Sequence, residues 1–185
     1  MVVKPLRCKP FYKVRYWFPR PIAEGGNRLP AETMEKLNEA FHEANTFFLV
    51  RRVITGITNR NSVRLDWPWT VAAWEELIRT SGKQLYYITD ENRDVVATGE
   101  VAVISGSAPS YSVRVYVRDE YRRRGLGTAM LAAIEQNLVV DNKTPLLVFN
   151  EYNVENLKAD AGVKRWLIAN NFEGEGRGWF REGNG

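Results

Sequence analysis

Arg122-Arg123-Arg124-Gly125-Leu126-Gly127-Thr128 sets three arginines beside two closely spaced glycines, residue types suited to holding a phosphate. Arginine supplies charge and a fork of donors. Glycine clears side chains from the backbone, so that N–H groups can approach an anion. The flanks decide what such a turn can do. Before it, Val113, Val115 and Val117 alternate with Arg114, Tyr116 and Arg118, the period of a strand. After it, Leu126, Met130, Ile134 and Leu138 recur at helical spacing, with Ala129, Ala132 and Ala133 between them. A helix that starts at the glycines aims its unpaired first N–H groups and its positive dipole end at the turn. That is a pyrophosphate seat; the plainer alternative is a tight turn with a solvated basic rim. A nucleoside-triphosphate loop is disfavoured because no Gly-Lys-Ser or Gly-Lys-Thr closes the turn. A dinucleotide-binding turn is disfavoured because the third glycine is missing.

The elements that must position this turn are legible along the chain. Residues 11–18 alternate as a strand that Pro19, Pro21 and Gly25-Gly26 end. Pro30 opens a long helix with Met34, Leu37, Phe41, Ala44 and Phe48 on one face. A polar loop covers about 58–64, and Thr70 caps a second helix with Ala73, Trp74, Leu77 and Ile78 as its apolar stripe. Strands are predicted over 85–89 and 95–104, joined by the turn Asp90 to Asp94. The glycine-turn helix runs to about Val139, a short strand covers 146–149, a last helix covers 156–169, and Gly178-Trp179-Phe180 belongs to a closing strand.

A chain of 185 residues with 44% hydrophobic and 26% charged residues suits one globular domain. No apolar run approaches the ~20 residues of a membrane span, and no signal-peptide core is visible, so a cytoplasmic protein is expected. Cys8 is the single cysteine and His42 the single histidine, which excludes an internal disulfide and makes a His/Cys metal site unexpected. His42 falls beside the apolar stripe of its helix and reads as a surface or boundary residue. The net charge is +4, and Lys4, Arg7, Lys9, Lys13, Arg15 and Arg20 occur with no acid among residues 1–20. With Phe11, Tyr12, Tyr16, Trp17 and Phe18 they read either as a nucleic-acid patch or as a strand whose aromatics enter the core. The second is favoured.

The segment Val117-x-Asp119-Glu120-Tyr121-Arg122-x-x-Gly125-x-Gly127 resembles the Gcn5-related N-acetyltransferase (GNAT) superfamily, whose signature is Arg/Gln-x-x-Gly-x-Gly/Ala. The resemblance implies an α/β (α+β) fold: a mixed, mostly antiparallel central sheet of six to seven strands, about four helices, and splayed fourth and fifth strands. It implies a single acetyltransferase domain over 1–185. Residues 1–30 would be a basic aromatic first strand and loop, 31–82 a helical acceptor-side region, and 83–185 an acetyl-CoA-binding core. Acetyl-CoA would be the co-substrate, with no metal. Its pyrophosphate would meet Arg122, Arg123, Arg124, Gly125, Leu126, Gly127 and Thr128, and its pantetheine arm would lie along Val115, Tyr116 and Val117. The opposite lip would be Val148-Phe149-Asn150, and Asn156 would begin the last helix near the cofactor. Asn171-Phe172 stands where relatives carry Gly-Phe.

Direct transfer from a thioester to an amine needs a neutral amine, a donor for the oxyanion and, optionally, a proton for the thiolate. The resemblance implies a backbone N–H near Val117 as the oxyanion donor. Glu100 is the expected base, because it interrupts an apolar strand on the face of Val96, Ala102 and Ile104; the alternative pairs it with Arg114 on the neighbouring strand. The tyrosine that relatives place in the last helix is replaced by Leu167 beside Trp166, leaving Tyr152 and Tyr116 as candidate acids. Asp66-Trp67-Pro68-Trp69 offers a carboxylate between aromatics for an amine acceptor. The partner expected is an amine-bearing substrate, with a monomer or homodimer and no membrane. Two further readings stay open: an acceptor amine carried on nucleic acid, and a catalytically silent CoA-binding module.

Overall fold

The computed structural model describes residues 11–54, 68, 70–104, 110–138, 146–149, 161–175 and 178–181. Seven strands form one sheet in the order β1-β2-β3-β4-β5-β7-β6. In chain order the elements are β1 (Lys13–Trp17), α1 (Ala31–Ile54), α2 (Val71–Thr80), β2 (Gln84–Thr89), β3 (Val95–Ile104), β4 (Ser110–Val117), α3 (Leu126–Leu138), β5 (Leu146–Phe149), α4 (Ala161–Ala169), β6 (Glu173–Glu175) and β7 (Gly178–Arg181). All pairings are antiparallel except β4 with β5. The expected fold class is the one observed, and the closing strand comes as a hairpin, β6 with β7.

Pairing of Leu85 with Glu100 and Arg114, and of Tyr86 with Gly99 and Val115, gives the sheet two alternating faces. On the first face lie α1 and α2. The α1 stripe Met34, Leu37, Phe41, Ala44 and Phe48 is buried throughout, packing with Trp17, Trp74 and Leu85 or around Tyr116. On the second face lies α3, burying Leu126, Met130, Ile134 and Leu138. Thr70 caps α2 as expected, its hydroxyl accepting from Ala73 N–H at 3.1 Å.

Two expectations are corrected. Leu77 is 55% exposed, and Arg79 takes a buried place on α2 instead. The Arg79 guanidinium donates to the carbonyls of Arg20 at 2.7 Å and Asn27 at 3.0 Å, and to Glu75 Oε1 at 2.6 and 2.9 Å. It also lies 5.3 Å from the Trp17 ring, so one buried cation fastens the β1–α1 connection to α2. The aromatics of the first strand do not all enter the core either. Trp17 is 2% exposed, but Tyr16 is 65% exposed and Phe11 and Phe18 also face solvent. β1 is an edge strand with only β2 beside it among the described residues, so one of its faces has little to cover it.

Removing Arg79 orphans two carbonyls and a carboxylate at once. Arg79→Met is expected to lower stability in urea unfolding by about 2–3 kcal/mol, while Leu77→Ala stays within about 0.5 kcal/mol.

Candidate active site

β3 and β4 pair along their whole length, from Ile104 with Ser110 to Ala97 with Val117. β4 and β5 pair only at Ser110, Tyr111 and Ser112, so the rest of β4 has no strand on that side among the described residues. The register decides which backbone groups this leaves open. Arg118 N–H donates to Val96 C=O at 3.0 Å, across the β3 side. Because antiparallel strands alternate their hydrogen bonds, Tyr116 and Arg114 also face β3, whereas Val115 and Val117 turn their N–H and C=O groups to the open side.

Past Val117 the chain makes one short turn at Asp119–Tyr121 and enters α3 at Leu126. Arg123 and Gly125 adopt left-handed φ values of 60° and 77°. Gly125 C=O accepts from Ala129 N–H at 3.0 Å, so Gly125 caps the helix, and the N–H groups of the first turn have no intrahelical acceptor. A cavity of about 420 Å³ joins this helix end to the open strand edge. It is lined by Val115, Tyr116 and Val117 from β4, by Arg122, Arg123, Gly125, Leu126, Gly127 and Thr128, by Phe47 from α1, and by Gly162, Val163 and Trp166 from α4.

The two glycines serve different ends. A Cβ on Gly125 would meet nothing within 4 Å, so its glycine answers to backbone conformation. A Cβ on Gly127 would stand 3.2 Å from the Trp166 ring, so this glycine lets α4 press on the start of α3. Trp166 also meets Phe149 edge to face, with ring centres 5.8 Å apart. α4 ends with Asn171 at φ 63°, its N–H bonded to Ile168 C=O at 3.0 Å and Phe172 N–H to Leu167 C=O at 2.9 Å. This is the helix-ending turn that glycine usually makes, and asparagine tolerates the same backbone. Asn171-Phe172 thus does the local work expected of Gly-Phe.

The arginines divide their roles. Arg122 donates from Nε to Val117 C=O at 2.9 Å, pairs with Asp119 at 2.7 Å, and lies over the Phe47 and Tyr116 rings at 5.4 and 5.8 Å. Arg124 is drawn away from the cavity lining, donating to Tyr12 Oη at 2.8 Å and Glu120 C=O at 2.9 Å. Arg123 lines the cavity and, among the described residues, makes no ion pair or hydrogen bond.

Glu100 does not stand in apolar surroundings as expected. Lys83 Nζ lies 3.2 Å and Arg114 Nη1 3.4 Å from its carboxylate, and it is not among the residues lining the cavity. A carboxylate not singled out from sequence lies closer. Glu43 of α1 accepts from Tyr116 Oη at 3.2 Å and pairs through its other oxygen with Arg118 Nε at 2.8 Å. Burial pushes the Tyr116 phenol up to about 12, the Glu43 charge and hydrogen bond add to the rise, and Arg122 opposes it. Helical spacing alone signals Glu43, four residues before Phe47, but which strand it meets is a tertiary fact. On the opposite side the described wall is α4, and Val148 and Phe149 are not part of it. Asn150, Tyr152, Asn156 and residues 66, 67 and 69 lie outside the described residues. His42 is exposed, as expected.

A family model described as an acetyltransferase (GNAT) domain matches residues 82–170, the stretch that holds this cleft. That stretch is a GNAT acetyltransferase domain by this match. Solved structures agree on the fold. A GNAT-family acetyltransferase from Staphylococcus aureus Mu50 is 14% identical, with 92% of this chain and 99% of that one covered at a TM-score of 0.51. A phosphinothricin acetyltransferase from Sinorhizobium meliloti, solved in complex with AcCoA, is 14% identical over 94% of this chain and 89% of that one, with a TM-score of 0.56. A spermidine N-acetyltransferase from Vibrio cholerae is 17% identical over 91% and 83%, with a TM-score of 0.50. No curated protein matches the sequence.

The contact between Gly127 and Trp166 generates a double-mutant test in this acetyltransferase fold. Gly127→Ala is expected to lower Tm by several degrees, and Trp166→Leu in the same chain to recover part of the loss, which separate additive effects would not do.

Proposed function

We propose that this chain transfers an acetyl group from acetyl-CoA to an amine by direct attack in the cleft beside β4. One observation carries the proposal. A single cavity runs from the open edge of Val115–Val117 to the first turn of α3, so backbone donors for an amide-bearing arm and for a pyrophosphate share one continuous surface. The residues fit the group. Val115 offers both N–H and C=O as an extra strand would require, while Arg123 and the N–H groups of Gly125 to Thr128 suit an anion. Acetyl-CoA supplies the activated acyl group. The protein's part is to hold the arm against β4, to donate the Val117 N–H to the developing oxyanion, and to keep bulk water from the cleft with Phe47 and Trp166.

Arg122 has a different part from the phosphate contact its sequence position implies. Its bond to Val117 C=O satisfies the last carbonyl of the open edge and fixes the plane of the strand end. The proposal therefore assigns Arg123 to the anion and Arg122 to the strand.

Thiol release from acetyl-CoA in the presence of diamines, amino acids and peptides tests the proposal directly, and absence of turnover with every amine would sink it. Val117→Pro removes an N–H that faces the cleft rather than β3. The variant is expected to fold, to bind acetyl-CoA, and to lose about 100-fold in kcat. Arg123→Ala is expected to weaken acetyl-CoA binding about tenfold in calorimetry without changing kcat at saturation.

The exposed first strand favours a second reading, in which the acceptor amine is carried on nucleic acid. Lys13, Arg15 and Arg20 are exposed together with Phe11, Tyr16 and Phe18. Retention of single-stranded RNA that falls steeply with salt supports it, and no retention at low salt removes it.

A further inference from the structure

We propose that Glu43 takes up the proton of the acceptor amine through the hydroxyl of Tyr116, a relay from the cleft to α1 that rests on the acetyl-transfer reading. Glu43 is not part of the cavity wall, but Tyr116 is, and the two are hydrogen-bonded at 3.2 Å. A phenol has one donor and lone pairs to spare. Tyr116 directs its donor to Glu43, which leaves its oxygen able to accept from an amine beside Val117. The side chain is 6% exposed and packs 5.1 Å from the Phe47 ring, so it has little freedom to turn elsewhere.

The charged groups around the relay come from three elements. Glu43 faces Tyr116 from α1, while Arg122 and Asp119 face it from the turn after β4. Arg118, at the end of β4, holds the second oxygen of Glu43 at 2.8 Å and approaches Glu39 at 3.7 Å. Arg118 therefore fixes how Glu43 presents its first oxygen to Tyr116. The same surroundings keep the phenol protonated across the neutral range, as a relay requires.

The step balances. As the amine nitrogen bonds to the acyl carbon, one N–H proton passes to Tyr116 Oη and the phenolic proton passes to Glu43 Oε1. The C–S bond breaks with its electron pair on sulfur. Tyr116 is restored within the step, and Glu43 returns its proton to solvent, which it can reach because its side chain is 44% exposed.

The experiment combines steady-state kinetics with a readout independent of turnover. Tyr116→Phe and Glu43→Gln are each expected to lower kcat about 100-fold with acetyl-CoA affinity unchanged. The double variant should be no slower than either single one, because both sit on one proton path. Glu43→Asp is expected to restore part of the loss. A Tyr116→Phe enzyme with wild-type kcat overturns the relay while leaving acetyl transfer intact; a wild type inactive with every amine overturns both. The second readout is the tyrosine ring carbon signal, assigned to Tyr116 by its loss in Tyr116→Phe. Glu43→Gln is expected to move that titration to lower pH, because a charge and a hydrogen bond that favour the protonated phenol are lost. Identical titrations in the two proteins overturn the coupling without recourse to activity.

Discussion

A strand edge that is partly buried yet, among the described residues, has no strand to pair with is the constraint on which this molecule turns. Beyond Ser112, β4 has no strand on the β5 side among the described residues, while its pairing with β3 continues to Val117. Backbone donors and acceptors in such a position need partners of another kind. Arg122 provides one by reaching back to Val117 C=O. The groups that remain, at Val115 and Val117, face a cavity rather than protein. The long and regular pairing with β3 makes this tolerable, because it holds the strand straight where the other side gives way.

The remaining elements follow from keeping that edge open and accessible. α3 must begin where β4 ends, which the left-handed residues Arg123 and Gly125 achieve within a few residues. α4 must come close without closing the gap, and the absence of a side chain at Gly127 sets how close it can come. Its far end is fixed by Asn171 and by Arg181, which bonds Asn170 C=O at 2.7 Å and Glu135 at 2.8 Å. On the other face, α1 brings Phe47 to the cavity and Glu43 to Tyr116. The cleft is thus walled by two helices on opposite sides of a strand that neither helix pairs with.

Much of this was legible in the residues. The α1 stripe, the Thr70 cap and the bounds of β3 and β5 follow from periodicity and capping chemistry, which are local. The glycine turn between β4 and α3 was legible for the same reason. What failed was pairwise and distant. Leu77 and Arg79 are two residues apart on one helix, and only the carbonyls of Arg20 and Asn27 decide that the arginine is the one buried. At Glu100 the pair with Arg114 was legible as the alternative to a base, but Lys83, just before β2, was not. Glu43 meets Tyr116 across 73 positions of sequence, a distance no local pattern spans. Arg122 and Arg124 belong to one basic run, and Val117 and Tyr12 pull them in different directions.

The strand order holds a consequence for how the chain reaches this shape. β7 is the last of the seven strands to leave the ribosome, yet it lies inside the sheet, between β5 and β6. Until it arrives, β5 has, among the described strands, only its short parallel pairing with β4. Strands β2 to β4 are sequential neighbours with short connections and can zip as they are made with little loop entropy to overcome, whereas β1 reaches β2 only across both α1 and α2. The second neighbour of β5 must wait for contacts such as Leu147 with Arg181, closed over a longer loop than those that join β2 to β3 and β3 to β4. Biosynthesis therefore builds the half that holds β4 first and completes the other half last, so a nascent chain leaves the far edge of β5 unpaired, and open to aggregation, until β7 arrives.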